Sequence, residues 1–178
     1  IKPVLPKDIK ILYADDLQKK YPKLTPKERE DKVTKEYGAV FITGIGGKLH
    51  DGTIHDGRAP DYDDWITESG DGHRGLNGDI LVWDSLLDCA LELSSMGIRV
   101  SPESLKAQLQ ERDMMEKTKF KFHSKLLKGE LSQTLGGGIG QSRLCMFLLR
   151  KVHIGETQVS VWTDEIKEDC KKRGIVLL

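Results

Sequence analysis

Gly136-Gly137-Gly138-Ile139-Gly140-Gln141-Ser142-Arg143, followed by Leu144-Cys145-Met146-Phe147-Leu148-Leu149, is the stretch from which the rest of the chain can be read. Four glycines in five positions free the backbone for tight turns and for close approach to a neighbour. The six apolar residues that follow predict a helix buried on all sides. Arg143 falls in the first turn of that helix, where the dipole is positive and a cation is poorly placed. A buried guanidinium with no counter-charge would be costly as well. An anion resolves both problems, because helix N-termini favour phosphate and arginine adds a two-pronged donor. The competing reading is a glycine-rich turn that packs a helix on a sheet, with Arg143 bonded to a carboxylate. Two common phosphate loops do not fit. A Walker A loop ends in Gly-Lys-Ser/Thr, and the dinucleotide fingerprint needs a third glycine where Arg143 stands. What is present is Gly-x-Gly-x-Gly-x-x-Arg, at Gly136, Gly138, Gly140 and Arg143.

The surrounding composition narrows the class. A chain of 178 residues holds one ordinary core. Hydrophobic residues make up 38% and charged residues 31%, a folded rather than a disordered balance. Lysine and arginine number 28 and are matched by 28 acids, so the net charge is zero. That balance argues for a small substrate and against a protein that grips many nucleic-acid phosphates. No apolar run approaches the ~18 residues a membrane span needs, so no membrane partner is expected. Cys89, Cys145 and Cys170 are odd in number and far apart, which suits neither a disulfide framework nor a zinc site. They predict a reducing, cytoplasmic setting, with Cys145 as a small core residue. No signal peptide is visible at the start. Ile1 in place of a methionine suggests a fragment or a processed chain.

In chain order, Ile9 to Tyr13 predicts a strand. Thr25-Pro26-Lys27-Glu28 is a capping box that opens a charged surface helix over about 26–37, ended by Gly38. Ala39 to Ile45 predicts a buried strand, and Gly46-Gly47-Lys48 a solvated turn. Gly47 to Gly78 is a long loop rich in Asp51, Asp56, Asp61, Asp63, Asp64, Glu68 and Asp71, with Arg58 and Arg74. A loop of this length without structure of its own is usually functional or disordered, and Tyr62 and Trp65 argue for order. The two His-Asp-Gly triplets at His50 and His55 read as Asp-Gly turns, or as the start of a metal site that lacks a third ligand at helical spacing. Gly78 to Asp84 and Ala90 to Arg99 predict antiparallel neighbours. Alternation places Leu91 and Leu93 on one face and Glu92 and Ser94 on the other. Ser101-Pro102 opens helical patterning that runs, with a break near Asp113, to Lys128. Phe120, Phe122, Leu126 and Leu127 are its expected packing residues. Gln158 to Trp162 predicts a strand or turn, Asp164 to Arg173 a short helix, and Ile175 to Leu178 a tail tucked against the core.

Four segments carry a resemblance. They are Arg58-Ala59-Pro60-Asp61-Tyr62-Asp63-Asp64-Trp65, Gly75 to Trp83, Glu92-Leu93-Ser94-Ser95-Met96-Gly97-Ile98-Arg99, and Gln133-Thr134-Leu135-Gly136 to Arg143. In this order and spacing they resemble the ammonia-dependent asparagine synthetases, the A-type aspartate–ammonia ligases. The glycine-arginine stretch resembles motif 3 of class II aminoacyl-tRNA synthetases. The resemblance implies an α+β fold, an antiparallel sheet flanked by helices, in a homodimer. It also implies that residues 1–178 are the C-terminal part of one catalytic domain, whose N-terminal half, with motifs 1 and 2, is not in this sequence.

The family's chemistry implies ATP, Mg²⁺, L-aspartate and ammonia as ligands. The aspartate side chain is adenylated with release of pyrophosphate, and ammonia then displaces AMP to give asparagine. By resemblance, Arg143 contacts ATP, Gly136, Gly138 and Gly140 let the nucleotide approach, and Ser94 and Ser95 adjoin it. Glu92 and Ser95 handle Mg²⁺ and phosphate, with Glu92 as the metal ligand. Arg99 clamps a carboxylate of the amino acid, with Ser95 and Asp63 beside it. Asp63 and Asp79 are the first candidates for attracting ammonium and accepting its proton, ahead of Asp61 and Asp64, for which the alternative is holding the loop. Two other readings compete: a non-catalytic module that binds aspartate or an adenylate, and a metal-dependent hydrolase built on His50, His55 and the loop aspartates.

Overall fold

The computed structural model describes residues 5–70 and 72–178. Ile1 to Val4 and Asp71, the last an acid of the long loop, lie outside the described residues. The chain opens with strand β1 (Lys10–Tyr13) and a short helix α1 (Ala14–Lys20), then helix α2 (Pro26–Tyr37). Helix α2 begins as its sequence predicts. The Thr25 hydroxyl accepts from the Glu28 amide and the Glu28 carboxylate accepts from the Thr25 amide. Gly38 ends the helix at φ 78°, a conformation that a side chain disfavours.

Strands β2 (Ala39–Thr43), β3 (Asn77–Asp84), β4 (Cys89–Ile98) and β5 (Leu135–Ile139) complete the sheet. Among the described residues its order is β1-β2-β3-β4-β5. The pairs from β2 to β5 are antiparallel, as expected. The edge pair β1–β2 is parallel, because α1 and α2 form the crossover that a parallel pair requires.

Each sheet face has its own core. Val40, Ile42 and Leu81 pack against Ala14 and Leu17 of α1 and Val33 of α2. Ala39, Val82 and Leu93 pack against Phe147 of helix α5 (Gln141–Leu148) on the other face. A third cluster, Val100, Leu105, Leu109 and Leu126, joins helices α3 (Pro102–Glu111) and α4 (Lys121–Leu127). The helical run breaks at Asp113, which has φ 54°, where the sequence suggested.

Four local expectations are corrected. Helix α5 is not buried all round: Met146 and Phe147 are buried, whereas Cys145, Leu148 and Leu149 are exposed. The helix packs through Phe147 on the sheet face made by Ala39, Val82 and Leu93 and is open on its other side. Gly46 is buried rather than solvated, because the Trp65 indole lies against it, so close that a Cβ there would be 2.9 Å from the ring. Of the four expected packing residues Leu126 is buried with Leu127 packed beside it, whereas Phe120 and Phe122 are exposed and His123 is buried. Of the two readings of 158–162, strand or turn, the strand is not formed, and Val159 and Val161 are exposed. The last helix, α6 (Asp164–Lys172), is where it was expected. Among the described residues no helix is long and apolar enough to cross a membrane.

Candidate active site

The geometry of the site starts with an irregularity in β4. Ser94 pairs with Ile80, but Glu92 pairs with Leu81, so Leu93 has no partner on β3. This is a β-bulge, two residues opposite one, and it resets the alternation of faces. Residues directly opposite each other share a face. Glu92 therefore faces with Leu81, and Ser95 with Asp79, on the α1–α2 side of the sheet. Ser94 goes to the opposite face, where it lines an apolar cavity with Phe41, Ile80 and Met96, and its hydroxyl donates to the Gly138 carbonyl at 2.9 Å. The expectation that Glu92 and Ser94 share a face is thus corrected by the bulge, which puts Glu92 and Ser95 together instead. Strict alternation would have split them.

Around Glu92 and Ser95, three arginines meet four carboxylates among the described residues. Arg99 is bound to Asp63 through Nη1 to Oδ1, donates to the Tyr62 hydroxyl at 3.1 Å and stacks its guanidinium 3.9 Å from the Tyr62 ring centre. Arg58 is bound to Asp79 through Nη2 to Oδ2, and through Nη1 to Asp56 and the Gly57 carbonyl. Arg143 lies 3.6 Å from the Glu92 carboxylate and donates to the Glu92 carbonyl at 3.1 Å. The Arg143 and Glu92 side chains are each nearly half exposed, so this pair opens easily to an incoming anion. The sequence had left Arg143 between an anion and a carboxylate, and here the carboxylate is Glu92. Asp63 and Asp79 are buried, and Asp79 Oδ1 has no hydrogen-bond partner among the described residues.

Tyr62, Asp63, Glu92, Ser95, Arg99, Gly138, Gly140 and Arg143 line one cavity of about 260 Å³. Burial pushes the Glu92 carboxyl above its ordinary range and the Asp79 charge adds to this, while Arg143 and Arg58 pull it back. A carboxylate in that condition gains from a cation beside it, so it suits a divalent ion. The glycines of β5 do separate jobs. A Cβ on Gly136 would come 2.6 Å from Arg99 Nη2, so Gly136 makes room for that guanidinium. A Cβ on Gly138 would meet nothing within 4 Å. Gly138 is thus open on the side that a ligand in the cavity would approach.

The loop that carries Asp63 is held by contacts the sequence did not announce. Gln108 of α3 is completely buried. Its amide donates to the carbonyls of Pro60 at 2.9 Å and Asp63 at 3.1 Å, and its carbonyl accepts from the Trp65 amide at 2.8 Å. Asp61 accepts from Lys117 and His123, each at 2.9 Å. Burial works against the Asp61 charge, but these two bonds hold its carboxyl below the ordinary range. Asp64 accepts from the amides of Ile66 and Thr67 and from the Thr67 hydroxyl. Asp61 and Asp64 hold the loop, as expected. Arg58 and Tyr62 were visible in the quoted loop segment but had no assigned part, and a glutamine in mid-helix gives no signal at all. His50 and His55 diverge: His50 bonds Asp15 at 3.0 Å and His55 bonds Glu30 at 3.0 Å. Among the described residues no group of three histidines, cysteines or acids could hold a metal ion.

The family model described as aspartate–ammonia ligase matches residues 1–174. An aspartate–ammonia ligase of Parabacteroides distasonis is 57% identical over 178 residues, covering 100% of this chain and 52% of that protein. The chain therefore spans about half the length of the curated relative it matches. Among solved structures, the asparaginyl-tRNA synthetase of Entamoeba histolytica in complex with asparaginyl-adenylate superposes with a TM-score of 0.55 at 18% identity, over 85% of this chain and 34% of that one. The aspartyl-tRNA synthetase of the same organism gives 0.58 at 15% identity, over 89% and 32%. The asparaginyl-tRNA synthetase of Pyrococcus horikoshii gives 0.56 at 19%, over 84% and 34%. At such identities the likeness shows the fold, which is the class II synthetase fold expected from the sequence.

Proposed function

The chain belongs to the aspartate–ammonia ligase family, and on that premise we propose that it contributes the site at which L-aspartate is amidated by ammonia to L-asparagine at the expense of ATP. One observation carries this reading. The β4 bulge gathers Glu92 and Ser95 with Arg99 and Arg143 around a single cleft whose floor is open at Gly138.

The reaction needs positioning and charge neutralisation rather than a covalent enzyme nucleophile. A β-carboxylate oxygen of aspartate attacks the α-phosphorus of ATP, and the bond to pyrophosphate breaks. Arg143, at a helix N-terminus and weakly held, takes the phosphate charge. Arg99 faces the α-carboxylate of aspartate, and its stack on Tyr62 limits its swing. Glu92 would hold Mg²⁺ with Ser95 beside it. The ion supplies charge neutralisation on the phosphates when bound.

In the second half the nitrogen of ammonia attacks the activated carbonyl carbon, AMP leaves, and the proton brought by ammonium passes to a carboxylate. Asp63 and Asp79 are the acceptors of this reading. Asp79 Oδ1, buried and unpartnered among the described residues, has lone pairs to offer an N–H donor. In the same reading, residues 1–178 are the C-terminal part of one synthetase-like catalytic domain, which works in the cytoplasm as a homodimer.

The test is product formation by the full chain with ATP, Mg²⁺ and aspartate, with ammonium or with glutamine as nitrogen source. Asparagine and AMP in equal amounts, with ammonium only, are expected. Ligand binding with no AMP released would make the chain a non-catalytic module and overturn the reading.

A further inference from the structure

Arg58 is the one arginine of this cluster to which neither the motif reading nor the proposed chemistry gives a role. Its surroundings are unlike those of a loop-holding residue. Its side chain is largely buried, yet its guanidinium is divided between two carboxylates of opposite character. On Nη2 sits Asp79, with only 9% of its side chain exposed. On Nη1 sits Asp56, with 60% exposed. The inner pair fixes the guanidinium in place, since breaking it would leave a buried charge uncompensated. The outer pair is solvent-accessible and contributes little, as exposed pairs do. One edge of the fork is therefore anchored, and the other is covered by a carboxylate that can leave.

The anchored end of the fork sits next to the cavity. Asp79 lies across the ladder from Ser95, one of the cavity's lining residues. Glu92 shares one face of the sheet with Ser95 and with the Asp79 that holds Arg58, and its carboxylate, proposed to hold the divalent ion, lies 3.6 Å from Arg143. An arginine fork and a carboxylate with its cation are a common way to hold a phosphoryl group. Neither Asp56 nor Gly57 packs into a core, so the segment they form can yield.

We infer that Arg58 is a second phosphate-binding arginine of this cleft, and that Asp56 is an internal stand-in for the phosphoryl oxyanion, displaced when that anion binds. The ligand class is the terminal phosphates of a nucleoside triphosphate, or the pyrophosphate they become. This deepens the proposed function and rests on it for the identity of the anion. The contact itself does not depend on turnover.

The experiment is calorimetric titration of the full chain with Mg-pyrophosphate and, separately, with Mg-ATP, at one fixed ionic strength. Wild type is compared with Asp56→Asn, Arg58→Gln and Arg58→Lys. Removing the competing carboxylate should tighten pyrophosphate binding about 3- to 5-fold, the scale of an exposed ion pair. Arg58→Gln should weaken it about 10-fold or more, the scale of a charge-assisted contact. Arg58→Lys should fall between, because a point charge keeps the attraction and loses the fork. Asp56 is exposed, so its variant folds whatever becomes of the buried Asp79 pair. Unchanged affinity in Asp56→Asn overturns the inference, as does pyrophosphate binding to wild type too weak to detect. Pyrophosphate binding that follows this order in a chain that releases no AMP would sink the ligase reading and leave this one standing. Tightening with ATP alone would place the contact on the nucleoside side and overturn the assignment to the terminal phosphates.

Discussion

Replacing Gln108 by leucine is the sharpest test of how the loop around Asp63 is held. The side chains are close in volume, so packing changes little, but all three hydrogen bonds to the loop backbone disappear. The Trp65 amide N–H loses its acceptor at a buried position, a cost of about 2 kcal/mol. The carbonyls of Pro60 and Asp63 lose one donor each, about 1 kcal/mol apiece. Added apolar burial returns about 1 kcal/mol. The net loss is about 3 kcal/mol, a large share of the 5–15 kcal/mol typical of a domain. With a urea slope of about 2 kcal/mol/M, the unfolding midpoint should fall by about 1.5 M. Gln110→Leu, two residues along on the exposed side of α3, serves as the control and should stay within about 0.5 kcal/mol of wild type. Gln108→Glu adds a pH test. Its carboxylate still accepts from Trp65 but repels two carbonyls, so the deficit should shrink on acidification, when the protonated acid can donate. Equal midpoints for Gln108→Leu and Gln110→Leu would refute the clamp.

Other predictions follow from the same geometry. Gly138→Ala should leave the melting temperature unchanged, because its Cβ has open space, yet weaken ATP binding about 10-fold or more by calorimetry; equal binding would remove Gly138 from the nucleotide's path. Arg143→Gln should cut aspartate-dependent pyrophosphate release about 100-fold or more, as loss of a charge-stabilising donor does, and activity within a few-fold of wild type would exclude it from the site. Asp15 is opposed by its burial but bonded by Lys19 and His50, which hold its carboxyl at about 2 against an ordinary 3.8. A lowered folded value gives stability that is present above pH 3.8 and lost as pH falls toward 2. Asp15→Asn should therefore cost about 1 kcal/mol at neutral pH, after discounting for its partial exposure, and nothing near pH 2; a deficit that persists in acid would contradict the linkage. Thr25→Ala removes the capping box of α2 and should cost about 1 kcal/mol by denaturant unfolding.

What the sequence disclosed and what it withheld divide along the range of the interactions. Local signals were legible. The Thr25 capping box, the Gly38 stop and the break at Asp113 depend on neighbours a few residues away, and each lies where the pattern puts it. The antiparallel pairing of β3 and β4 was legible for the same reason, since a short connection joins them. The bulge at Leu93 was not, because a register shift is settled between strands and strict alternation gives no hint of it. It decides the site, since it sends Ser94 away and brings Ser95 beside Glu92. The exposure of α5 was also hidden, because six apolar residues in a row read as buried whatever lies against them. Gln108, Lys117 and His123 reach the Asp63 loop across 43 or more residues, a distance over which residue type carries no positional signal. The grouping of Asp63, Glu92, Ser95, Arg99 and Arg143 was legible only as a family resemblance. The sequence pattern alone offered the glycines and Arg143.

We propose that the aspartate side chain is activated as an adenylate in the cleft between Arg99 and Arg143. Aspartate labelled with heavy oxygen in its β-carboxylate tests it most directly, with the nucleotide products weighed after turnover in the presence of ammonium. AMP heavier by one labelled oxygen is expected, because the oxygen that attacks the α-phosphorus leaves with it. Unlabelled AMP, or label appearing in inorganic phosphate beside ADP, would contradict the account.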